Sequence, residues 1–73
     1  MKTHHVRVKQ VSAKAHRVYR NGHLLIFKTA TPFADAARQL LADGAKPEDE
    51  IVCRLEGSVY EVMRGHIGKL AGG

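Results

Sequence analysis

Tryptophan is absent from these 73 residues, cysteine occurs once, and proline, tyrosine and phenylalanine occur twice each. No acidic residue precedes Asp35. Each shortage excludes something. A lone thiol, Cys53, rules out an internal disulfide and fits a reducing compartment. The longest unbroken apolar run, Leu24-Leu25-Ile26-Phe27, is far too short to span a bilayer. The opening residues Met1-Lys2-Thr3-His4-His5-Val6-Arg7 lack the apolar stretch of a signal peptide. The expectation is a single small domain over 1–73, cytoplasmic and without membrane contact. A chain this short buries only about 60% of its unfolded surface, so its core is thin. A thin core and open sheet edges point to self-association as a two-fold homodimer.

What is abundant is positive charge, and it is placed unevenly. The chain carries 12 Lys+Arg against 7 Asp+Glu, a formal net charge of +5. Residues 1–34 contribute +7 and residues 35–73 contribute −2. Asymmetry of this kind points to a polyanionic or acidic partner and says nothing about fold.

The pattern of apolar residues predicts an α+β chain. Val6 and Val8 alternate with Arg7 and Lys9, which is strand period. Val11, Ala13 and Ala15 continue on the opposite parity, so a bulge or break falls near Lys9–Val11. Asn21-Gly22 lies between β-forming runs and predicts a two-residue hairpin turn. That turn sets Arg20 opposite His23, Tyr19 opposite Leu24 and Val18 opposite Leu25. The returning strand is apolar on both faces, which predicts the central, most buried strand.

Thr31-Pro32 predicts a helix start. Phe33, Ala36, Ala37, Leu40 and Leu41 then form one apolar stripe, and Gly44 closes a helix over about 32–43. Lys46-Pro47-Glu48-Asp49-Glu50 reads as an exposed acidic loop. Ile51-Val52-Cys53-Arg54-Leu55 reads as a strand with Ile51, Cys53 and Leu55 on one face. After it two readings stand. Gly57-Ser58 suits a tight turn that sets Arg54 opposite Glu61 and Cys53 opposite Val62. Ser58-Val59-Tyr60-Glu61 also suits a capping box that opens a helix. A strand over 59–64, followed by a short turn or helical piece near Ile67–Ala71, is preferred because Gly65 and Gly68 weaken a long helix.

The predicted fold is therefore one helix packed on a three- or four-stranded, mostly antiparallel sheet. Its predicted core is Val6, Val8, Val18, Leu25, Phe27, Phe33, Ala37, Leu40, Leu41, Ile51, Cys53, Leu55, Val62 and Ile67.

The chemistry-bearing residues favour binding over catalysis. His4, His5, His16, His23 and Cys53 show no zinc-ligand spacing, so no metal is expected. Cys53 alternates with Ile51 and Leu55 as a buried small hydrophobe and not as a nucleophile. No phosphate-cradling or nucleophile-elbow motif is present, and Gly65-His66-Ile67-Gly68 is too short to serve as one. No cofactor is expected. The best binding signal is the basic N-terminal strands: Arg7, Lys9, Lys14, Arg17, Arg20 and Lys28 can meet phosphates, and Tyr19 can stack on a base. A two-stranded ribbon fits a duplex major groove, and a basic sheet also holds single strands. The expected function is a small non-catalytic binding protein that engages nucleic acid or an acidic protein surface.

Two further readings stand beside it. Small bacterial and phage proteins of this size often act as stoichiometric inhibitors or adaptors of nucleic-acid-handling enzymes, an analogy of size only. Separately, the strand–strand–helix–strand order ending in Gly72-Gly73 resembles the ubiquitin-like sulfur carriers. That resemblance implies a C-terminal glycine carboxylate that is adenylated and carries sulfur, although Gly65 and Gly68 interrupt the expected last strand.

Overall fold

Asn21 and Gly22 both take positive φ, 52° and 79°, as a two-residue hairpin turn requires. They join β2 (Ala15–Arg20) to β3 (His23–Thr29), and β1 (Thr3–Ser12) pairs antiparallel on the other side of β2. The computed structural model describes residues 1–72. Its remaining elements are α1 (Pro32–Ala42), β4 (Glu50–Leu55), β5 (Glu61–His66) and the short α2 (Ile67–Gly72). The predicted irregularity in β1 is present as a register shift between Gln10 and Ser12. After Leu55 the chain takes the strand-then-helix reading, with the strand at Glu61–His66 in place of 59–64 and Arg54 opposite Glu61.

The five strands form one mixed sheet in the order β3-β2-β1-β4-β5. This corrects the expected three or four strands. The sheet is still mostly antiparallel, but β4 lies parallel to β1, with Val6 beside Cys53 and Val8 beside Leu55. A helix between β3 and β4 makes that possible, because it returns the chain to the start of β1.

The sheet's two faces differ. One is covered by α1 and α2, and Val6, Val8, Val18, Ile51 and Cys53 bury their side chains there against Ala36, Ala37, Leu40 and Ile67. Phe33 and Leu41 of the predicted stripe are half-buried at its margins. Among the described residues the other face carries no helix.

Several sequence expectations fail for local reasons. Strand β3 is an edge strand and not the central one. Its register slips, so Tyr19 faces Leu24 while Val18 faces Ile26 in place of Leu25. The extra residue puts both Leu25 and Ile26 against the core. Phe27 is thereby released, 63% exposed, instead of buried. A second slip between Cys53 and Arg54 sets Cys53 opposite Met63 and leaves Val62 exposed. The connection is also longer than two residues: it runs from Glu56 to Tyr60, with Ser58 N–H bonded to Leu55 O. Leu55, at the end of β4, is exposed and lines an open pocket with Pro32 and Phe33 of α1 and Leu70 of α2. Asp49 is not part of an exposed loop but is buried.

Thr31 sits at the N-cap as predicted, yet its hydroxyl caps no backbone amide. The Thr29 and Thr31 hydroxyls donate instead to the Asp35 carboxylate, which Arg38 also meets at 2.9 Å. The Thr29 bond above all holds the Asp35 carboxyl below its ordinary range. Arg38 donates a further bond to Ala71 O, 3.0 Å away, and so ties α2 to α1. The residues through Gly72 are thus helical. Gly73, whose carboxylate the sulfur-carrier resemblance invokes, lies outside the described residues.

Gly68 lies where α2 meets the loop before β4. Its N–H donates to Pro47 O at 2.9 Å, and a Cβ at this position would sit 2.9 Å from Pro47 Cβ. Gly72, by contrast, borders open space. Gly68→Ala is therefore expected to cost about 1–3 kcal/mol, an overpacking penalty. Thermal melts of Gly68→Ala and Gly72→Ala check this, and equal midpoints for the two would refute it.

Candidate nucleic-acid interface

Strand alternation decides which side chains share the uncovered face. Arg7 pairs with Tyr19, and Lys9 pairs with Arg17. Since Val8 and Val18 point to the core, these four side chains all stand on the open face. The face continues onto β3, where Leu24 is opposite Tyr19 and the Arg17 guanidinium lies 4.8 Å from the centroid of the Phe27 ring. Cation–π attraction of this kind orients the guanidinium without neutralising it. Arg17 Nε is buried and meets no hydrogen-bond partner.

On the other half of the same face the charges are satisfied. Arg64 bonds Glu61 at 2.6 and 3.0 Å and also reaches Glu50. Arg54 bonds His5 Nδ1 at 3.0 Å and lies 3.6 Å from Glu61. These long side chains flank Val52, which is buried although no helix covers it. Their pairing raises the Arg64 pKa and lowers that of Glu61, each chiefly through the hydrogen bond to the other. Among the described residues, Arg7, Lys9 and Arg17 have no such carboxylate partner. The open face is therefore divided: uncompensated cations beside aromatics over β1–β3, and a neutralised network over β4–β5.

A groove of about 470 Å³ lies between these halves. Arg7, Lys9 and His5 line it from β1, Tyr19 and Asn21 from one side, and Arg54 and Glu56 from the other.

Of the residues singled out by sequence, Arg7, Lys9, Arg17 and Tyr19 come together. Lys14 lies in the β1–β2 turn, and Lys28 is exposed near the end of β3. Arg20 is elsewhere. It follows Tyr19 and so points to the helix side, where it lies 3.4 Å from His4 Nδ1. His4 in turn donates from Nε2 to Asp49. Sequence reasoning missed His5, Arg54, Leu24 and Phe27. His5 follows from the alternation of β1 and Leu24 from its place opposite Tyr19, whereas only the parallel register brings Arg54 beside Arg7 and only the slip frees Phe27.

The histidines do not converge, and among the described residues no group of three or more His, Cys, Asp and Glu is placed to hold a metal ion. Burial pushes the Cys53 thiol up to about 11, so it is protonated at neutral pH. Among the described residues no helix is long and apolar enough to cross a membrane. No family model, curated protein or solved structure matches the chain.

Proposed function

We propose that this chain is a small non-catalytic binding protein that engages nucleic acid through the open face of its sheet. Arg7, Lys9 and Arg17 meet phosphates, and Tyr19 offers a ring to a base. The observation that carries this reading is the grouping of three cations lacking carboxylate partners with two aromatic rings on one uncovered surface. Cations alone would suit any polyanion. Rings interleaved with them suit a ligand that offers both charge and flat apolar surface. The buried, protonated Cys53 thiol accords with a reducing cytoplasmic setting.

Salt titration tests it. If three phosphates are neutralised, the log–log slope of affinity against salt should fall between about −2 and −3. The double reversal Lys9→Glu/Arg17→Glu should abolish binding to mixed-sequence nucleic acid while leaving the fold intact, because neither side chain enters the core. Binding that ignores both reversals, or no binding at low salt, overturns the proposal. Slowed association with an acidic protein, in a parent that binds no nucleic acid, would reassign the patch to that class of partner.

A further inference from the structure

We infer that the nucleic acid recognised by this face is single-stranded, lying along β1 with its phosphates over Arg7 and Lys9 and its bases turned toward Tyr19 and Phe27. The inference rests on the nucleic-acid reading above and narrows it.

The first ground is the position of the cations in the sheet. Arg7 and Lys9 stand on β1, which has two strands on each side. At about 4.8 Å between neighbours, the outermost strands of five lie roughly 19 Å apart. The major groove of a duplex is about 12 Å wide. A two-stranded ribbon enters it, but the middle strand of this sheet cannot.

The second ground is what surrounds the cations. Leu24 is 50% exposed and Phe27 63% exposed, both on the β3 side of the patch. A duplex presents phosphates and sugars to a broad surface and keeps its bases stacked inside, so these apolar groups would face charge. A single strand carries unstacked bases beside its phosphates, and every base has a face that an aromatic ring can cover. Arg7 and Lys9 on β1 and Arg17 on β2, beside the rings of Tyr19 and Phe27, offer charge and flat apolar surface side by side in the same way.

The third ground is the groove's shape. It follows β1 from His5 to Lys9, four residue steps, or about 13 Å at roughly 3.3 Å per residue. That length suits two or three extended nucleotides. Its far wall, at Arg54 and Glu56, is already supplied with partners or carries a negative charge. The phosphates are therefore kept off the β4 side and lie over β1 and the adjoining Arg17 of β2.

Fluorescence anisotropy separates the outcomes. The probes are labelled mixed-sequence DNA of about twelve nucleotides, single-stranded and as the matched duplex, at one low salt concentration. The single strand should bind at least tenfold more tightly than the duplex. Tyr19→Leu should weaken the single strand tenfold or more and leave residual duplex binding unchanged, since it removes a ring and no charge. Phe27→Ala is the second variant; its side chain is mostly exposed, so its fold should survive. Equal or tighter duplex binding, or loss on both probes alike in the two variants, overturns the single-strand assignment while the nucleic-acid reading stands. No binding to either probe overturns both.

Discussion

Leu40→Ala should unfold a large part of this protein's margin of stability. Leu40 is fully buried in the last turn of α1 and packs on the same cluster as Val6, Val18, Ile51 and Cys53. Truncating a leucine so placed costs about 2–5 kcal/mol, through lost transfer energy and the cavity left behind. Domains of this kind have only about 5–15 kcal/mol in total. The melting temperature should fall by roughly 10 °C or more, since each kcal/mol shifts a domain of this size by about 4–8 °C. The surrounding side chains offer little relief: Ala36 and Ala37 beside it are too small to fill the void. Gln39→Ala, one residue away and half-exposed, is the control. If both variants melt alike, α1 is not oriented as described.

The second large effect concerns Asp49. Its carboxylate side chain is only 5% exposed, yet it has three donors. The backbone N–H groups of Lys2 and Lys46 reach it at 3.1 and 3.2 Å, and His4 Nε2 at 3.1 Å. These bonds tie the start of β1 to the loop before β4, the two segments that must meet for the parallel pair to form. The His4 bond first, then the two backbone amides, hold the Asp49 carboxyl well below the ordinary carboxylate range.

The pH dependence follows in sign. Above about pH 4, the ordinary aspartate value, the group is ionised in both folded and unfolded chains and its bonds contribute fully. As pH falls below that value, the unfolded chain binds a proton that the folded chain resists, so stability drops. Asp49→Asn removes the charge. The variant should be clearly less stable at pH 7, and the gap to the parent should narrow as pH is lowered from 5 to 2. Urea midpoints at pH 7 and pH 3 measure this. A gap that stays constant across that interval would mean the carboxylate's bonds are not those described.

Much of this architecture was legible in local sequence. The Asn21-Gly22 turn, the helix from Pro32 and the strand-then-helix reading after Leu55 all follow from short-range rules, because turn chemistry and a 3.6-residue stripe act over a few neighbours. Alternation likewise put Arg7 and Lys9 on one face. What was not legible is non-local or depends on one slipped residue. Nothing near Ile51 announces that β4 will lie beside β1, more than forty residues earlier in the chain. That pairing brings Arg54 to Arg7 and makes β3 an edge. Apolar residues on both faces of β3 suggested a central strand, yet Leu24 and Phe27 are exposed there. The register slip opposite Val18 and Tyr19 decides Phe27's side, and periodicity alone assigns it to the wrong one. Asp49 looked like part of a charged loop because its partners come from Lys2 and His4, far off in sequence.

The parallel pair also sets a timetable for synthesis. The β1–β3 meander needs only contacts between neighbours in the chain and is complete once Thr29 has been made. The edge of β1 that will receive β4 then waits for Glu50–Leu55, some 25 residues later, or about 1–5 s at ordinary translation rates. During that interval an unpaired strand edge is open to pairing with another nascent copy. Arg7 and Lys9 stand on that strand, and two like-charged copies laid side by side would repel. Arg7 and Lys9 would thus keep newborn chains apart until β4 arrives to close the sheet.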